Sequence, residues 1–497
     1  MVKPPSRERL RDLSADFFAP PTAAELDEFE SLAETWLSDH ERVATLAADR
    51  TPAPDRGAVD VDSTWVADDP GPFLTRCRIE GAPGGPLDGY EIGVKDNLAV
   101  AGVPMTCGST ALEGFVPPCD AIVVARLLDA GGTITGKLIL ESMAFSGSGE
   151  LADYGVVPNP CDESHLPGGS SSGCAVAVVD GTVDVAIGTD QSGSVRVPAA
   201  WSGCVGHKPT FGLVPYTGGV SLEPTVDHVG PMARSVADCA LALDAMAGPH
   251  PTDSRQGSFP PTRTTDALDA NRPLTIGVLE TGFDFDASDP AVSDRVRTTT
   301  DALEADGHTV ESVSVPLHAD GVAIYNAIVI EAHAALVQNE GVGYHRRGEY
   351  DDALAEAFAK ARRVRARQFP AAMRLSLALG RHLAEEYRGR YHRYGQSLRG
   401  DLRDAYDEAL AEVDVLAMPT TPQSAHERVT NLSLNRQIKR SLDMFQNTAS
   451  SNLTGHPAVS VPCGTADGLP VGLQFVGDRF DDGTVLRAAQ AVERHGA

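Results

Sequence analysis

The sequence predicts an α/β fold in which a central β-sheet is covered by helices on both faces. From about residue 70 onwards, short apolar runs alternate with helical stretches. Short apolar runs are typical of buried strands, and helices interleaved with them supply the layers above and below a sheet. Residues 320–412 are almost wholly helical in pattern, which predicts an insertion over the sheet. The length of 497 residues is enough for one large α/β unit with such additions.

The first 65 residues are predicted to form a helical segment followed by a linker. Thr22 with Glu25 three residues later is a capping box, which predicts where the second helix begins. Four apolar residues of that helix share one face: Leu26, Phe29, Ala33 and Trp36. Such a face predicts burial against the main body or a second subunit. Residues 51–64 are rich in Pro, Gly and turn formers, which predicts a linker before a main domain at 66–497.

Within the main domain, apolar runs and cap signals place individual elements. Strands are predicted at 92–94, 133–135, 183–187, 275–279, 413–418 and 471–476. Helices are predicted at 122–128, 175–179 and 290–305. Asp120 is the expected N-cap of the first of these helices, and Pro290 suits the first turn of the last.

The charge balance excludes one large class of partner. The chain carries 69 Asp and Glu against 41 Lys and Arg, a formal net charge of −28. A strongly negative surface repels phosphate, so we expect no nucleic-acid partner. Only six of the basic residues are lysines: Lys3, Lys95, Lys137, Lys208, Lys360 and Lys439. Excess carboxylates with arginine in place of lysine predict a halophilic protein, since salt screens the self-repulsion; ordinary acidic solubility is the alternative.

The cysteines and the N-terminus exclude further classes. The eight cysteines are scattered without CxxC pairs, which argues against both a metal site and a disulfide framework. The N-terminal residues contain no apolar stretch that would serve as a signal peptide, and no run of 18 apolar residues occurs. We therefore expect a cytoplasmic protein with no membrane partner, no metal and no cofactor.

Two familiar motifs are present in unsuitable surroundings. Residues 131–137 satisfy GxxxxGK, but Leu138 follows where a P-loop needs Ser or Thr, and the segment runs from helix to strand. Residues 169–173 satisfy GxSxG, which would make Ser171 a nucleophile, but a polar loop precedes it instead of a strand. The first motif is interpreted as a turn, and a GxSxG hydrolase is kept as an alternative.

Two Gly/Ser-rich loops and one lysine form a third pattern. The loops span residues 168–174 and 188–196, and the helix and strand between them bring both loops to one end of the sheet. Lys95 follows an apolar strand, where burial costs free energy unless the lysine is neutral or paired. A neutral lysine can activate a serine nucleophile, directly or through a second hydroxyl, while the N–H groups from Gln191 to Ser194 stabilise an oxyanion. The pattern predicts acyl transfer without histidine; tight turns alone are the alternative.

These loops and the lysine resemble the amidase signature family. The stretch runs from Gly168 to Pro209, GGSSSGCAVAVVDGTVDVAIGTDQSGSVRVPAAWSGCVGHKP, and the similarity continues at 452–462. Residues 206–218 are most similar to the broad-specificity amidases associated with nitrile hydratase. The resemblance implies a mixed central sheet and a small-molecule amide substrate. It also implies a homodimer, which the N-terminal helical segment helps to form.

For individual residues, the resemblance implies a Ser-cisSer-Lys triad. Ser194 would be the nucleophile and Lys95 the base. Ser170, after a cis Gly169–Ser170 bond, would relay protons between them. The oxyanion hole would be formed by four consecutive residues: Gln191, Ser192, Gly193 and Ser194. The implied reaction is hydrolysis of a carboxylic amide to carboxylate and ammonia through an acyl-enzyme.

Neighbouring positions and other functions remain open. Ser192 stands where the family usually has glycine, and a Cβ at positive φ would cost about 1 kcal/mol. Asp190 and Arg196 either pair to fix the nucleophile loop or interact at the surface, and Trp201 is expected in the core rather than in an acyl pocket. The alternatives are a glutaminase subunit of a tRNA-dependent amidotransferase and a non-catalytic binding protein on the same scaffold.

Overall fold

The computed structural model describes residues 3–17, 20–48, 59–62, 71–257, 263–270, 272–344 and 348–495. The chain divides into two compact units, Met1–Asp55 and Arg56–Ala497, so the domain boundary predicted at residue 66 lies inside the second unit. Val61–Asp62 forms a strand that pairs with residues 76–77, and the linker prediction is wrong for these two residues. Residues 51–58 and 63–64 of the predicted linker lie outside the described residues.

The N-terminal unit contains two helices, α1 at Arg7–Phe17 and α2 at Ala23–Ala48. The Thr22 N–H donates to Glu25 Oε2 at 2.7 Å, and the Glu25 N–H donates to Thr22 Oγ1 at 3.3 Å, which confirms the capping box. Leu26 in the predicted apolar face is buried, whereas Phe29 and Trp36 are exposed. Burial of the whole face is therefore not observed within a single chain.

The second unit is built on one mixed sheet. Its twelve strands among the described residues are β1 Val61–Asp62, β2 Phe73–Ile79, β3 Glu91–Lys95, β4 Thr133–Leu138, β5 Val185–Asp190, β6 Val205–Lys208, β7 His228–Ala233, β8 Thr275–Leu279, β9 Thr309–Val313, β10 Val415–Pro419, β11 Ala458–Ala466 and β12 Leu469–Gly477. The strand order is β1-β2-β4-β3-β5-β7-β6-β11-β12-β10-β8-β9. Strand β3 is parallel to β4 and β5, and β8 is parallel to β9 and β10; the remaining neighbours are antiparallel. The predicted α/β class with a mixed sheet is confirmed.

All six predicted strands are present, and three of the strands that were missed, β7, β9 and β11, have weak sequence signals. Strand β7 contains Pro231 and β11 contains Pro462, and proline removes a backbone donor that a strand pattern normally offers. Strand β9 lies at the sheet edge and has no fully buried residue. An edge strand with mostly exposed side chains lacks the apolar run by which a strand is recognised.

Helices occupy the connections between the strands. They are α3 Ile122–Asp129, α4 Ser172–Val179, α5 Arg196–Ser202, α6 Val236–Met246, α7 Thr264–Leu268, α8 Pro290–Ala305, α9 Gly321–Gln338, α10 Asp352–Val364, α11 Ala371–Tyr387, α12 Arg390–Leu410, α13 Leu434–Arg440, α14 Ala449–Thr454 and α15 Asp482–His495. The predicted cap of α3 is wrong: Ala121 is its N-cap, and Asp120 instead accepts from the Ala101 N–H at 2.8 Å. Helix α8 begins at Pro290 as predicted.

Strand β5 shows that both faces of the sheet are covered. Successive side chains of a strand point to opposite faces. Val185 and Ile187 belong to the large apolar cluster that also contains residues of α3 and α6. Ala186, between them, belongs to a second cluster formed with α4 and α5. Because neither face is left to solvent, all six residues of this strand are buried, and residues 185–188 are apolar rather than alternating.

The predicted helical insertion at 320–412 is confirmed as α9 to α12, with α11 and α12 both packed on α9. The segment Pro316–Gln338 is long and apolar enough to cross a membrane by length and composition. Within this fold, however, Ile324 and Ile328 are buried in one apolar cluster with Leu402 and Tyr406. The apolar character of α9 is accounted for by its role as the central helix of the insertion.

Candidate active site

Three chain segments meet at one edge of the sheet. Strands β3 and β5 are parallel neighbours, so their carboxyl ends lie at the same edge. Lys95 is the last residue of β3, and the loop after β5 begins at Gln191. The loop at 168–171 leads into α4, which packs on both of these strands. The two Gly/Ser loops and the lysine are thus brought together as the sequence predicts.

Lys95 and Ser170 are in direct contact. Lys95 Nζ lies 2.8 Å from Ser170 Oγ, 3.0 Å from Thr189 Oγ1 and 3.2 Å from Thr189 O. The side chains of Lys95, Ser170 and Thr189 are each fully buried. Among the described residues, none of the hydrogen-bond partners of Lys95 is a carboxylate. The lysine is therefore taken out of water without a paired negative charge.

These contacts favour the neutral form of the lysine. Burial lowers the pKa of Lys95 to about 8. A neutral amine has two N–H bonds and one lone pair, and Thr189 offers it two oxygen acceptors. Thr189 O only accepts, and Thr189 Oγ1 also accepts from Asn97 Nδ2 at 2.9 Å. The partner set fits an amine that donates twice to Thr189 and directs its lone pair towards the Ser170 hydroxyl.

The Ser170 loop is held from behind by Glu141. The Gly169–Ser170 peptide bond is cis. The Glu141 N–H donates to Ser170 O at 3.2 Å, and a Cβ at position 169 would collide with Glu141 Oε2. Burial raises the pKa of the Glu141 carboxyl group, whose Oε1 accepts from the Leu151 N–H at 3.1 Å. A Cβ at 169 would also lie 2.9 Å from the backbone nitrogen of Gly149, so this position favours glycine.

Ser194 lies on the second loop, next to the first. The Ser171 N–H donates to Ser194 O at 3.3 Å, which joins the two loops directly, and Ser194 is buried. The four N–H groups from Gln191 to Ser194 donate no hydrogen bond to any residue that the structure describes. The next N–H, that of Val195, is occupied by Asp190 Oδ2 at 3.1 Å. The loop therefore presents a run of available donors beside Ser194.

Ser192 does not have the backbone conformation that would penalise a side chain. Its φ is not positive; the left-handed value of 143° belongs to Gly193. The Thr448 hydroxyl donates to Ser192 O and so fixes the peptide group. Burial raises the pKa of the Tyr325 phenol, and a hydrogen bond with the Ser192 side chain offsets part of that rise. The departure from glycine is tolerated by the backbone and places a hydroxyl towards Tyr325.

The nucleophile loop is anchored by a buried ion pair. Arg196 Nη2 lies 3.0 Å from Asp190 Oδ1, Arg196 Nε lies 3.0 Å from Asp190 Oδ2, and neither side chain is exposed to solvent. Burial alone would raise the pKa of Asp190, but the guanidinium holds it well below its usual range. Arg196 also donates to Ser451 Oγ at 2.7 Å and to Gln474 Oε1 at 2.8 Å. Of the two interpretations left open for this pair, the structure supports the loop anchor.

Other predicted positions take structural roles. Trp201 is buried in an apolar cluster, and its Nε1 donates to Thr421 Oγ1 at 3.1 Å, as expected for a core residue. The GxxxxGK segment forms a turn only at its first two glycines and continues as residues 133–137 of β4, where Lys137 pairs with Asp96 at 2.9 Å, so the turn interpretation is wrong for most of the segment. Ser171 Oγ donates to Thr189 O at 3.4 Å and has no contact with Lys95. These contacts do not favour a GxSxG nucleophile.

One cluster of possible metal ligands was not seen in the sequence. Asp407, His456 and Asp478 place ligand atoms within 4.8 Å of one another. However, Arg479 already donates to both oxygens of Asp407, at 2.7 and 3.1 Å. Because the guanidinium supplies the positive charge, we assign no metal to this cluster.

Several supporting residues were missed by sequence reasoning. Asn97 and Thr189 each lie within two residues of a predicted site residue, so their positions in the chain would have signalled them. Glu141 and Thr448, the N-cap residue of α14, gave no such signal, and Asn452 was noted only as the first residue of the similar stretch at 452–462. Asn452 Nδ2 donates to Asp190 O at 3.1 Å across a separation of 262 residues. Only the fold brings α14 against the nucleophile loop.

Comparison with known proteins identifies the family. The family model described as Amidase matches residues 74–486, and the chain belongs to this amidase signature family. An enantioselective amidase of Rhodococcus rhodochrous is 39% identical over 502 residues, covering 98% of this chain and 95% of that protein. A glutamyl-tRNA(Gln) amidotransferase subunit of Halobacterium salinarum is 39% identical over 429 residues, covering 85% of this chain and 99% of that protein.

Solved structures of the family share this fold. The corresponding glutamyl-tRNA(Gln) amidotransferase subunit from Thermotoga maritima superposes with a TM-score of 0.70 at 31% identity, covering 83% of this chain and 84% of that chain. The native peptide amidase from Stenotrophomonas maltophilia superposes with a TM-score of 0.67 at 33% identity, covering 82% and 83%. These relatives include amidases and amidotransferase subunits, so the family alone leaves the activity to be decided between them.

Proposed function

We propose that this protein hydrolyses a carboxylic amide to a carboxylate and ammonia through an acyl-enzyme intermediate. Ser194 is the nucleophile, Ser170 the proton relay and Lys95 the base in this proposal. The contact that carries it is the 2.8 Å separation of Lys95 Nζ and Ser170 Oγ in a fully buried site. A lysine with only neutral oxygen partners can hold and release a proton near neutral pH.

The first half-reaction forms the acyl-enzyme. As Ser194 Oγ attacks the amide carbonyl carbon, its proton passes to Ser170 Oγ, and the Ser170 proton passes to Lys95. The carbonyl oxygen becomes an oxyanion, which accepts hydrogen bonds from the available N–H groups between Gln191 and Ser194. The ion pair of Asp190 and Arg196 keeps that loop in place.

The second half of the cycle returns the protons. Lys95 gives its proton back through Ser170 to the departing nitrogen, because an amide anion is too basic to leave unprotonated. The carbon–nitrogen bond breaks, and ammonia leaves a Ser194 ester. Water then attacks this ester, with Ser170 and Lys95 accepting its proton. Collapse of the second oxyanion releases the carboxylate and returns the proton to Ser194.

A glutaminase subunit that hands ammonia to a partner is the second candidate, favoured by the similarity to the Halobacterium salinarum protein. The alignment with that protein covers 85% of this chain, whereas the alignment with the Rhodococcus rhodochrous amidase covers 98% and so includes most of the N-terminal unit. The added N-terminal helices therefore support a stand-alone amidase. The homodimer expected from the sequence is part of this proposal.

An ammonia-release assay tests the proposal. The full chain is incubated in molar KCl with a panel of aliphatic and aromatic amides and with glutamine. We expect Ser194→Ala to abolish ammonia release and Ser172→Ala, at the first residue of α4 and without a hydrogen bond to Lys95, to retain it. Full activity in Ser194→Ala would contradict the proposal. Ammonia release from glutamine alone, and only with a copurifying larger partner, would favour the second candidate.

A further inference from the structure

The helical insertion contains an open groove away from the catalytic residues. Its volume is about 410 Å³, within the range of small-molecule sites, and it lies between α9, α10 and α11. Apolar side chains form its walls: Ala334, Val337, Phe358, Phe369, Met373 and Leu377. The rings of Phe358 and Phe369 meet edge to face at 5.6 Å, which gives the groove a firm aromatic side.

Three arginines and one glutamine form the polar border of the groove: Arg362, Arg374, Arg381 and Gln338. Arg362 is paired with Glu340, and Arg381 contacts Glu385 at 2.5 Å and Gln338 Oε1 at 2.8 Å. The Arg374 guanidinium has no hydrogen-bond or ion-pair partner among the described residues. One guanidinium facing the groove is thus available, and a second is held in place beside it by Gln338.

The groove lies in the most basic stretch of an acidic chain. Residues 360–403 contain twelve Lys or Arg against three Asp or Glu, a local charge of +9 in a protein of net charge −28. Solubility alone does not require so many Lys and Arg residues in one stretch, because carboxylates keep the rest of the chain soluble. An anion approaching the groove meets a favourable local field that it would not meet elsewhere on this surface.

We propose that this groove is a binding site for a small carboxylate with an apolar tail. The apolar walls bury the tail, and burial of apolar surface supplies the main driving force. The carboxylate matches the planar donors of Arg374 and Arg381, which bind such groups more strongly than neutral acceptors. A neutral alcohol would leave the guanidinium without a partner, and an ammonium would be repelled by it.

This site is separate from the one in which the amide is cleaved. None of the residues that line the groove belongs to the loops around Lys95, Ser170 and Ser194. Its walls share an apolar cluster with Met143 and Phe145, which follow the residue that holds Ser170 from behind. Because the groove shares no lining residue with the catalytic loops, the proposal does not depend on amide hydrolysis. Binding to the groove is measured without turnover.

Binding of sodium octanoate to the full chain in molar KCl, followed by saturation-transfer NMR and calorimetry, tests the proposal. The matched probes are 1-octanol and octyltrimethylammonium. We expect octanoate to bind, and the double variant Arg374→Gln, Arg381→Gln to weaken it by about tenfold or more. Ala366→Trp, an exposed border position, should block the groove without disturbing the core. The double variant Arg390→Gln, Arg393→Gln, on α12 and outside the groove, is the charge-matched control and should bind as the unaltered chain does.

Three results would overturn the proposal. Octanoate binding that survives both Ala366→Trp and the double arginine variant would place the ligand elsewhere, including the catalytic site. Equal affinity for 1-octanol would show an apolar surface without carboxylate recognition. Sedimentation showing that Ala366→Trp dissociates a dimer would show that a second copy of the chain, and not a small anion, occupies the groove.

Discussion

Two buried lysines stand on adjacent strands and differ in what surrounds them. Lys95 ends β3 and Lys137 lies in the neighbouring parallel β4, where Lys95 is opposite Leu138 and Val94 is opposite Lys137. Both side chains are fully buried, and both belong to the six lysines of the chain. Residue type and burial thus make them nearly equivalent, but the register places their side chains on opposite faces of the sheet, where they meet different partners.

The partners decide which lysine can act as a base. Lys137 Nζ lies 2.9 Å from Asp96 Oδ1, so its positive charge is compensated by a carboxylate. Lys95 has three oxygen contacts and all of them are neutral. A paired ammonium keeps its proton, whereas an unpaired one loses it more readily on burial. The comparison teaches that a buried lysine at a strand end is a candidate base only when no carboxylate pairs with its ammonium group.

Removing the Lys95 amine should give the largest effect on turnover. We expect Lys95→Met to lower kcat by about 10³-fold, the range of general-base contributions, because Ser170 then has no acceptor for its proton. The melting temperature should not fall, since methionine fills the space without a buried amine to desolvate. The assay is ammonia release paired with thermal melting. Turnover of Lys95→Met within tenfold of the unaltered enzyme would contradict the assignment of Lys95, and not Lys137, as the base.

Removing the counter-charge of Lys137 should act on stability instead. Asp96→Asn leaves the Lys137 ammonium buried without a carboxylate, and we expect the free energy of unfolding to fall by about 3–5 kcal/mol. Denaturant unfolding in molar KCl measures this. The double variant Asp96→Asn, Lys137→Met is the control and should recover most of the loss. An unchanged unfolding midpoint in the single variant would mean that the pair is not a stabilising contact.

The pH profile sharpens the contrast between the two lysines. With the pKa of Lys95 lowered to about 8, the neutral base is the minor form below that pH and the major form above it. We expect kcat/KM to rise with pH, from about a tenth of its plateau at pH 7 to the plateau above pH 9. Asp96→Asn, whose side chain makes no hydrogen bond to the Lys95 amine, should leave the midpoint in place. A flat profile between pH 6 and 9 would contradict a lysine base.

Lys208 is a third buried lysine, and it has a lowered pKa without any contact to the catalytic serines. Its removal should have the smallest effect on rate. Burial lowers the pKa of Lys208 to about 7, but its Nζ donates to His456 O at 2.6 Å and touches neither serine. We expect Lys208→Met to keep kcat within about tenfold and to leave the midpoint of the pH profile unchanged, because positioning contributes less than proton transfer. A shifted midpoint would assign the titration to Lys208 instead of Lys95.

Local sequence was a good guide to the elements that form the site and a poor guide to those that support it. Lys95, Ser170 and Ser194 each follow or precede a short apolar run, and such runs are governed by nearest-neighbour patterns. Glu141 and Asn452 act through contacts with residues far away in the chain. No pattern in the sequence could pair them, because their partners are set by how helices and strands pack.

The sequence by itself determined the α/β class, the two loops, the Lys95 candidate and the excess of acidic residues, since these depend on residue type and local spacing, and its resemblance to the amidase signature family added Ser194. The tertiary structure decided that three of the six lysines, Lys95, Lys137 and Lys208, are buried. It also decided which of them meets a carboxylate and that Asp190 meets Arg196 out of solvent. The physical reason is that a side chain's protonation and pairing depend on the atoms within a few ångströms, and those come from distant parts of the chain.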